Sequence, residues 1–311
     1  MLDAEVAAVI AAAAEAGGLV LVTPRGDAMA LRGVVNTTLQ LMDSAEPDSP
    51  NVLTADHLVP VADGDIRVRW YTSTRLAAGS AVVYCHGGGR VCGSVDLYDR
   101  LVSKYVEETG VPFLSVDYRL APECAGTTAV DDGLAALAWF VERADKFGVD
   151  KARIAIMGDS GGGGVAAGVA IAARDAGIPV AKQILIYPML DDRNIEPDPE
   201  IAPFATWTYD NNYTGWNALL GADRGSDNVS SLTAPARLTE FAGLAPAFID
   251  VGELDIFCDE SILYALRLGR AGVSTELYVR PGCPHAFDRA APAAEVSARS
   301  WADRYRAIKA V

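Results

Sequence analysis

The sequence predicts an α/β fold built on a mostly parallel sheet, and three observations carry that prediction. Short, almost wholly apolar runs recur along the chain, at Ala81 to Cys85, Pro112 to Val116, Arg153 to Met157, Gln183 to Tyr187, Ala247 to Val251 and Thr275 to Val279. Strands buried on both faces read this way. Helical patterns stand between the runs, at Leu97 to Glu108, Val130 to Phe147, Gly161 to Arg174 and Asp259 to Ala271, and Ala293 to Ala310 closes the chain. Right-handed crossovers between such strands place their C-termini, and any chemistry they carry, along one rim.

Before the first buried strand come two helical patterns, Leu2 to Ala16 and Asp27 to Met42, ended by the punctuation Asp48-Ser49-Pro50. They predict a small helical appendage. Leu58 to Val61 and Ile66 to Thr72 follow, the second alternating Ile66, Val68 and Trp70 against Arg67, Arg69 and Tyr71 around Asp63-Gly64-Asp65. This is the pattern of an antiparallel hairpin at a sheet edge with one face wet. Between Leu190 and Pro235 no strand is legible and the composition turns polar and aromatic, with Phe204, Trp207, Tyr209, Tyr213 and Trp216. A connection of that length predicts an insertion or lid, its aromatics either packing on the body or roofing a substrate cleft.

Composition narrows the partners. The 311 residues, 50% of them hydrophobic, suffice for one large domain with a smaller appendage. A net charge of −15 and the absence of any Lys/Arg run exclude nucleic acid and anionic membrane surfaces as expected partners. No long uncharged apolar run predicts a membrane span, and Asp3, Glu5 and Glu15 make the Ala-rich start a surface helix rather than a signal peptide. Five cysteines without metal-type spacing fit reduced thiols in a cytoplasmic protein, and three histidines, His57, His86 and His285, are too few for a His-built metal site.

The chemistry centres on Arg153 to Asp175. An apolar strand pattern breaks at Gly158-Asp159-Ser160-Gly161-Gly162 and a helical pattern follows at once, which puts Ser160 on the sharp strand-to-helix turn of a nucleophile elbow. Gly161 would open the helix with its N–H aimed at a developing oxyanion. A serine needs a base, and the base needs an orienting carboxylate; in this arrangement they follow in the order Ser, acid, His. Asp255, just past the run ending at Val251, and His285, in the loop after the last run, appear in that order. Glu253 is the rival acid, while Asp259 and Glu260 read as helix-capping residues. Successive glycines in His86-Gly87-Gly88-Gly89 would let backbone amides approach a ligand, so Gly88, Gly89 and Gly161 form a candidate three-donor oxyanion hole. His86 reads as an orienter of that loop. Gly162-x-Gly164-x-x-Ala167 also satisfies a dinucleotide-binding pattern, though Asp175, Asp191 and Asp192 are poorly spaced for the ribose partner.

Taken together, HGGG at 86–89, DYRLAPE at 117–123, GDSGGG at 158–163 and the contexts of Asp255 and His285 resemble the bacterial hormone-sensitive lipase family of α/β-hydrolases, in its GDSxG branch, over roughly residues 55–311. The resemblance implies an eight-stranded, mostly parallel sheet with an antiparallel second strand. It implies a helical cap made from residues 1–50 and the insertion 191–235, over a catalytic domain of 51–190 and 236–311. It also implies a carboxylesterase acting on short to medium acyl esters, needing no cofactor or metal, and often dimeric. Lactone or amide hydrolysis would use the same residues, and the scaffold also occurs as a non-catalytic receptor.

The chain departs from the family in having Gly161 after the nucleophile, Arg90 where an aromatic usually follows HGGG, and Cys124-Ala125-Gly126-Thr127-Thr128 after APE. Arg90 is expected as a cation near the pocket mouth, either favouring substrates with a carboxylate or other polar acceptor or else solvated or structurally paired, with Trp207, Tyr209 and Tyr213 as candidate pocket residues. Cys283 reads as a buried small hydrophobe.

Overall fold

A computed structural model describes residues 1–15, 23–74 and 79–311. Eight strands form one sheet: β1 (Val52–Val61), β2 (Gly64–Ser73), β3 (Ala81–Cys85), β4 (Phe113–Val116), β5 (Ile154–Asp159), β6 (Gln183–Ile186), β7 (Ala247–Gly252) and β8 (Thr275–Arg280). Their order is β1-β2-β4-β3-β5-β6-β7-β8; β2 runs antiparallel to both β1 and β4, and the remaining pairs are parallel. The helices are α1 (Ala4–Glu15), α2 (Ala28–Ala45), α3 (Asp99–Thr109), α4 (Thr128–Val141), α5 (Gly161–Ala176), α6 (Tyr209–Leu220), α7 (Cys258–Arg270), α8 (Phe287–Ala290) and α9 (Glu295–Lys309).

The two-residue alternation of strand side chains divides each buried run between two cores. Ala81, Val83 and Cys85 of β3 face α4 and α5, packing with Leu137, Phe140, Val165 and Val169. Val82 and Tyr84 face the opposite layer with Val102 and Tyr105 of α3 and Trp301 and Ile308 of α9. Every residue of β3, β4, β5, β6 and β7 is buried, which is why these strands carry no polar alternation. The sheet order reverses at the adjacent pair β3 and β5, whose following segments leave toward opposite layers. A crevice opens where such connections part.

The hairpin is longer than its hydrophobic signal. β1 begins at Val52 because residues as far as Ser73 on β2 supply ladder partners, while Leu53 to Asp56 face solvent and leave no apolar trace. The turn is Ala62-Asp63, closing the register pair Val61 and Gly64. The helix expected from Val130 to Phe147 ends at Val141, and Ala144–Phe147 tightens into a 3-10 turn. That tightening folds Phe147 back onto Phe140 and Trp70, at ring-centroid distances of 5.3 and 5.0 Å. Tertiary packing of aromatics outweighs helix continuation there. Arg153 belongs to a short 3-10 turn capped by Asp150 rather than to β5, and the closing helix divides into α8 and α9. The end expected for the first helix, Ala16, lies outside the described residues.

Two apolar clusters sit above the rim. Ala28 and Leu31 of α2 pack with Trp207, Tyr209, Trp216 and Leu219 in and before α6, together with Met189, Ile256 and Phe257 below. α2 and α6 start on side-chain caps, Asp27 accepting from Ala30 N–H and Thr208 from Asn211 N–H. α1 packs elsewhere, its Val6 joining Cys283, Phe287, Ala291 and Val296, while Asp3 N–H donates to Gly282 O at 2.9 Å. Among the described residues no helix is long and apolar enough to cross a membrane.

Candidate active site

β5 ends at Asp159 and α5 begins at Gly161, so Ser160 occupies the single residue between them, at φ 55 and ψ −121. A serine held there carries backbone strain of roughly 1–3 kcal/mol and persists only where surrounding contacts over-determine it. Ser160 N–H donates to Ile186 O at 2.8 Å, and Ser160 O accepts from Gly164 N–H at 3.1 Å and Met189 N–H at 3.0 Å. The turn is tight enough that a Cβ at Gly162 would sit 2.2 Å from the carbonyl oxygens of both Cys85 and His86. Only glycine fits. The same contact covers the dinucleotide-like glycines: a Cβ at Gly164 would lie 2.1 Å from Met189 O. Close backbone packing therefore accounts for these glycines without a dinucleotide.

Loops from three strand ends meet at this turn. His285 Nε2 lies 2.9 Å from Ser160 Oγ, and His285 Nδ1 lies 2.7 Å from Asp255 Oδ2. Asp255 is fully buried, its other carboxylate oxygen accepting from Phe257 N–H at 3.0 Å. Glu253, the rival acid, is turned away and accepts from Gly282 N–H at 2.8 Å. The imidazole is boxed edge-on by Tyr187 at 4.7 Å and Phe257 at 5.1 Å, which leaves it little rotational freedom. Thr206 Oγ1, from the long insertion, donates to His285 O at 2.6 Å.

Below the serine, the Asp159 carboxylate accepts from the Tyr84 and Tyr98 hydroxyls at 2.5 and 3.2 Å. Burial raises the Asp159 pKa, and those hydrogen bonds work against that rise.

The segment after β3 presents its backbone to the elbow. Gly88 and Gly89 take φ of 115 and 60, and a Cβ on Gly161 would come within 2.6 Å of Gly89 N. Among the described residues, the N–H groups of Gly88, Gly89 and Gly161 donate to no protein carbonyl. His86 lies beneath, its ring stacked on Tyr118 at 4.3 Å and its Nδ1 2.9 Å from Gly87 O, while Tyr118 Oη donates to His86 O at 2.6 Å. Burial lowers the pKa of His86, against the smaller opposing effect of its contact with Gly87 O. His57 is remote, beside Trp139 and Phe147. Among the described residues no group of three or more His, Cys, Asp or Glu side chains is placed to hold a metal ion.

A family model described as alpha/beta hydrolase fold matches residues 82–289. The chain is 36% identical to an ethyl acetate hydrolase of Pseudomonas putida, over 79% of each chain, and 35% identical to the carboxylesterase NlhH of Mycobacterium tuberculosis, over 80% of each. Among solved structures, a bacterial heroin esterase superposes with a TM-score of 0.87 at 34% identity, covering 99% of this chain and 97% of that one. The chain belongs to the α/β-hydrolase family. Within it, the chain is a carboxylesterase of the hormone-sensitive lipase type.

The structure corrects two pocket expectations for this hydrolase. Arg90 is not at a pocket mouth: it is 1% exposed and turned under the elbow, donating to the backbone oxygens of Gly161, Met189 and Thr233. The guanidinium takes room that Gly164 leaves, where a Cβ would lie 2.3 Å from Arg90 Nη2. Tyr213 lies between the guanidinium groups of Arg25 and Arg224, at 4.0 and 4.4 Å, rather than against Ser160 or His285. Trp207 packs on the glycine loop after β3, where a Cβ at Gly89 would meet its ring at 2.6 Å, and Tyr209 is buried in the cluster of α2 and α6. Cys283 is buried with Val6 and Phe287, its thiol pushed up to about 12 by burial.

Sequence reasoning missed Thr206, Tyr187 and Phe257. Phe257 stands two residues past Asp255 and Tyr187 ends a strand run, so their nearness to the rim was readable. Thr206 in a long irregular segment gave no signal.

Proposed function

We propose that this hydrolase cleaves short to medium acyl esters through an acyl-enzyme on Ser160, with His285 as general base and acid and Asp255 as its orienting carboxylate. The observation that carries the reading is the continuous reach from Asp255 Oδ2 to His285 Nδ1, 2.7 Å, and from His285 Nε2 to Ser160 Oγ, 2.9 Å. In the first half-reaction His285 Nε2 takes the Ser160 proton as Oγ bonds to the ester carbon. The carbonyl oxygen becomes an oxyanion facing the N–H groups of Gly88, Gly89 and Gly161. Collapse expels the alkoxide, which leaves as an alcohol with the proton from His285. Water then attacks the acyl-enzyme under the same base, releasing the acid and restoring Ser160.

A short acyl group suits the packing of the Trp207 ring against Gly89, and the similarity to an ethyl acetate hydrolase supports it. Ser160→Ala is expected to abolish turnover of p-nitrophenyl acetate and butyrate and to prevent labelling by an organophosphate. Retained turnover in the folded variant would refute the assignment.

A further inference from the structure

Buried arginines ordinarily face a carboxylate, because an uncompensated charge is costly to desolvate. Arg90 does not. Its Nη1 donates to Thr233 O at 2.6 Å, its Nε to Gly161 O at 3.3 Å and its Nη2 to Met189 O at 3.4 Å, while its Cζ sits 5.2 Å from the Trp216 ring centre. Burial pushes its pKa down to about 10, against smaller opposing influences of Tyr118, Cys85 and Glu260. The group also stands by the first turn of α5, the positive end of that helix, where a cation is disfavoured. Stability alone does not select a guanidinium here.

Gly164 leaves space for the guanidinium, and Gly161 leaves space for the Arg90 backbone. A Cβ at Gly164 would lie 2.3 Å from Arg90 Nη2, and a Cβ at Gly161 would lie 2.7 Å from Arg90 N. What the guanidinium grips beside the candidate nucleophile is the carbonyl of Gly161, in the Gly161–Gly162 peptide, one peptide beyond the one that carries the Gly161 N–H. The Ser160–Gly161 peptide presents Gly161 N–H on one side and Ser160 O on the other, and Ser160 O is held by Met189 N–H at 3.0 Å. Arg90 then holds Met189 by its carbonyl and Gly161 by its carbonyl. The same residue follows Gly89 directly, so one side chain ties the two backbone segments that carry the candidate oxyanion donors.

We propose that Arg90 is a positioning residue for ester hydrolysis, locking the Gly161 and Gly89 amides in the geometry that receives the oxyanion and adding its charge to the potential there. This rests on the reading of Ser160 as nucleophile and of those amides as oxyanion donors. Preorganised donors act without reorganisation at the moment of reaction, so loosening them lowers kcat while leaving substrate binding nearly unchanged.

The test uses Arg90→Met and Arg90→Gln beside Ser160→Ala, with p-nitrophenyl acetate kinetics, thermal unfolding and inhibition by phenylboronic acid, which forms a tetrahedral anion on a serine hydroxyl. The expected result is a kcat lowered about tenfold, short of the hundredfold or more for losing a direct oxyanion donor. KM stays within about threefold, boronic acid affinity falls by the same factor as kcat/KM, and the unfolding midpoint holds or rises. Arg90→Gln keeps a donor in place and decides the matter should Arg90→Met not fold. A kcat within about twofold of the parent, or a loss of kcat with unchanged boronic acid affinity, overturns the proposal. If Ser160→Ala stays active the underlying reading fails instead; if it is inactive while the Arg90 variants keep full kcat, this proposal alone is lost.

Discussion

Two segments border Ser160 and are held in opposite ways. The elbow, residues 158–164, is fixed by backbone against backbone: the oxygens of Cys85, His86 and Met189 approach glycine Cα atoms where no Cβ could stand. The insertion, residues 191–235, is fixed by side chains reaching across gaps, such as Arg237 to Asp192, Asn194 to Glu260 and Thr206 to His285. Close-packed backbone has no soft coordinate to absorb added volume, whereas polar side-chain ties fail one at a time. The elbow should therefore answer mutation all at once and the insertion by degrees.

The largest effect is expected from Gly162→Ala. Both atoms a new Cβ would strike, the oxygens of Cys85 and His86, are backbone at the end of a buried strand. The cost should reach or exceed the roughly 1–3 kcal/mol typical of overpacking, with ester turnover lost alongside. Urea unfolding with a parallel p-nitrophenyl acetate assay measures it, and an unchanged midpoint would show that the loop after β3 yields.

Asp192→Ala probes the foot of the insertion. Asp192 is fully buried and accepts from Arg237 Nε at 2.5 Å, Arg237 Nη2 at 2.9 Å and Gly225 N–H at 2.7 Å. Its loss leaves a mostly buried cation unpaired. Because the Arg237 side chain keeps 12% exposure, the cost should be about 2 kcal/mol, below the 3–5 of a sealed pair. Turnover should fall less steeply than stability. A kcat loss as complete as that of Gly162→Ala would erase the contrast between the segments.

The same contrast decides what could be read in advance. Strands buried on both faces, and an elbow whose glycines are adjacent in sequence, leave their mark in consecutive residues, so the sheet and the placing of Ser160, Asp255 and His285 at strand ends were legible. Orientation within the insertion was not. Tyr209, Asn212, Trp216 and Leu219 form the buried face of α6, and Tyr213, one step off that face, turns to Arg25 and Arg224. Arg90 was misplaced for a related reason: its neighbours fix where it lies along the loop, while its inward turn depends on room left by Gly164, far along the chain. A glycine run as long as Gly161 to Gly164, more than an elbow alone requires, was the available sign.

Thr206→Val is a smaller perturbation of the same tie between insertion and site. It removes the 2.6 Å bond to His285 O without adding volume, so it should cost about 1 kcal/mol. A kcat reduced a few-fold at unchanged KM would show that the insertion steadies the imidazole, and no change in either constant would mean that Tyr187 and Phe257 suffice.

The smallest effect should come from Arg193→Ala, and it separates the segments by their response to solvent. Arg193 donates to Asp191 at 2.7 Å through Nε and 2.6 Å through Nη2, with 54% of its own side chain exposed. Burial pushes the Asp191 carboxyl up, but its bonds to Arg193 prevail and hold it below the ordinary 3.8. A carboxyl lowered on folding contributes stability that is present above its unfolded value and is lost as the pH falls through the lower folded one. The parent should thus exceed Arg193→Ala by less than about 1 kcal/mol near pH 7, after allowing for screening at so exposed a group. The gap should close below pH 3.8 and shrink in about 1 M salt, where the screening length is near 3 Å. The penalty of Gly162→Ala, being steric, should survive both conditions, so a salt-sensitive elbow or a salt-blind insertion would break the distinction between them.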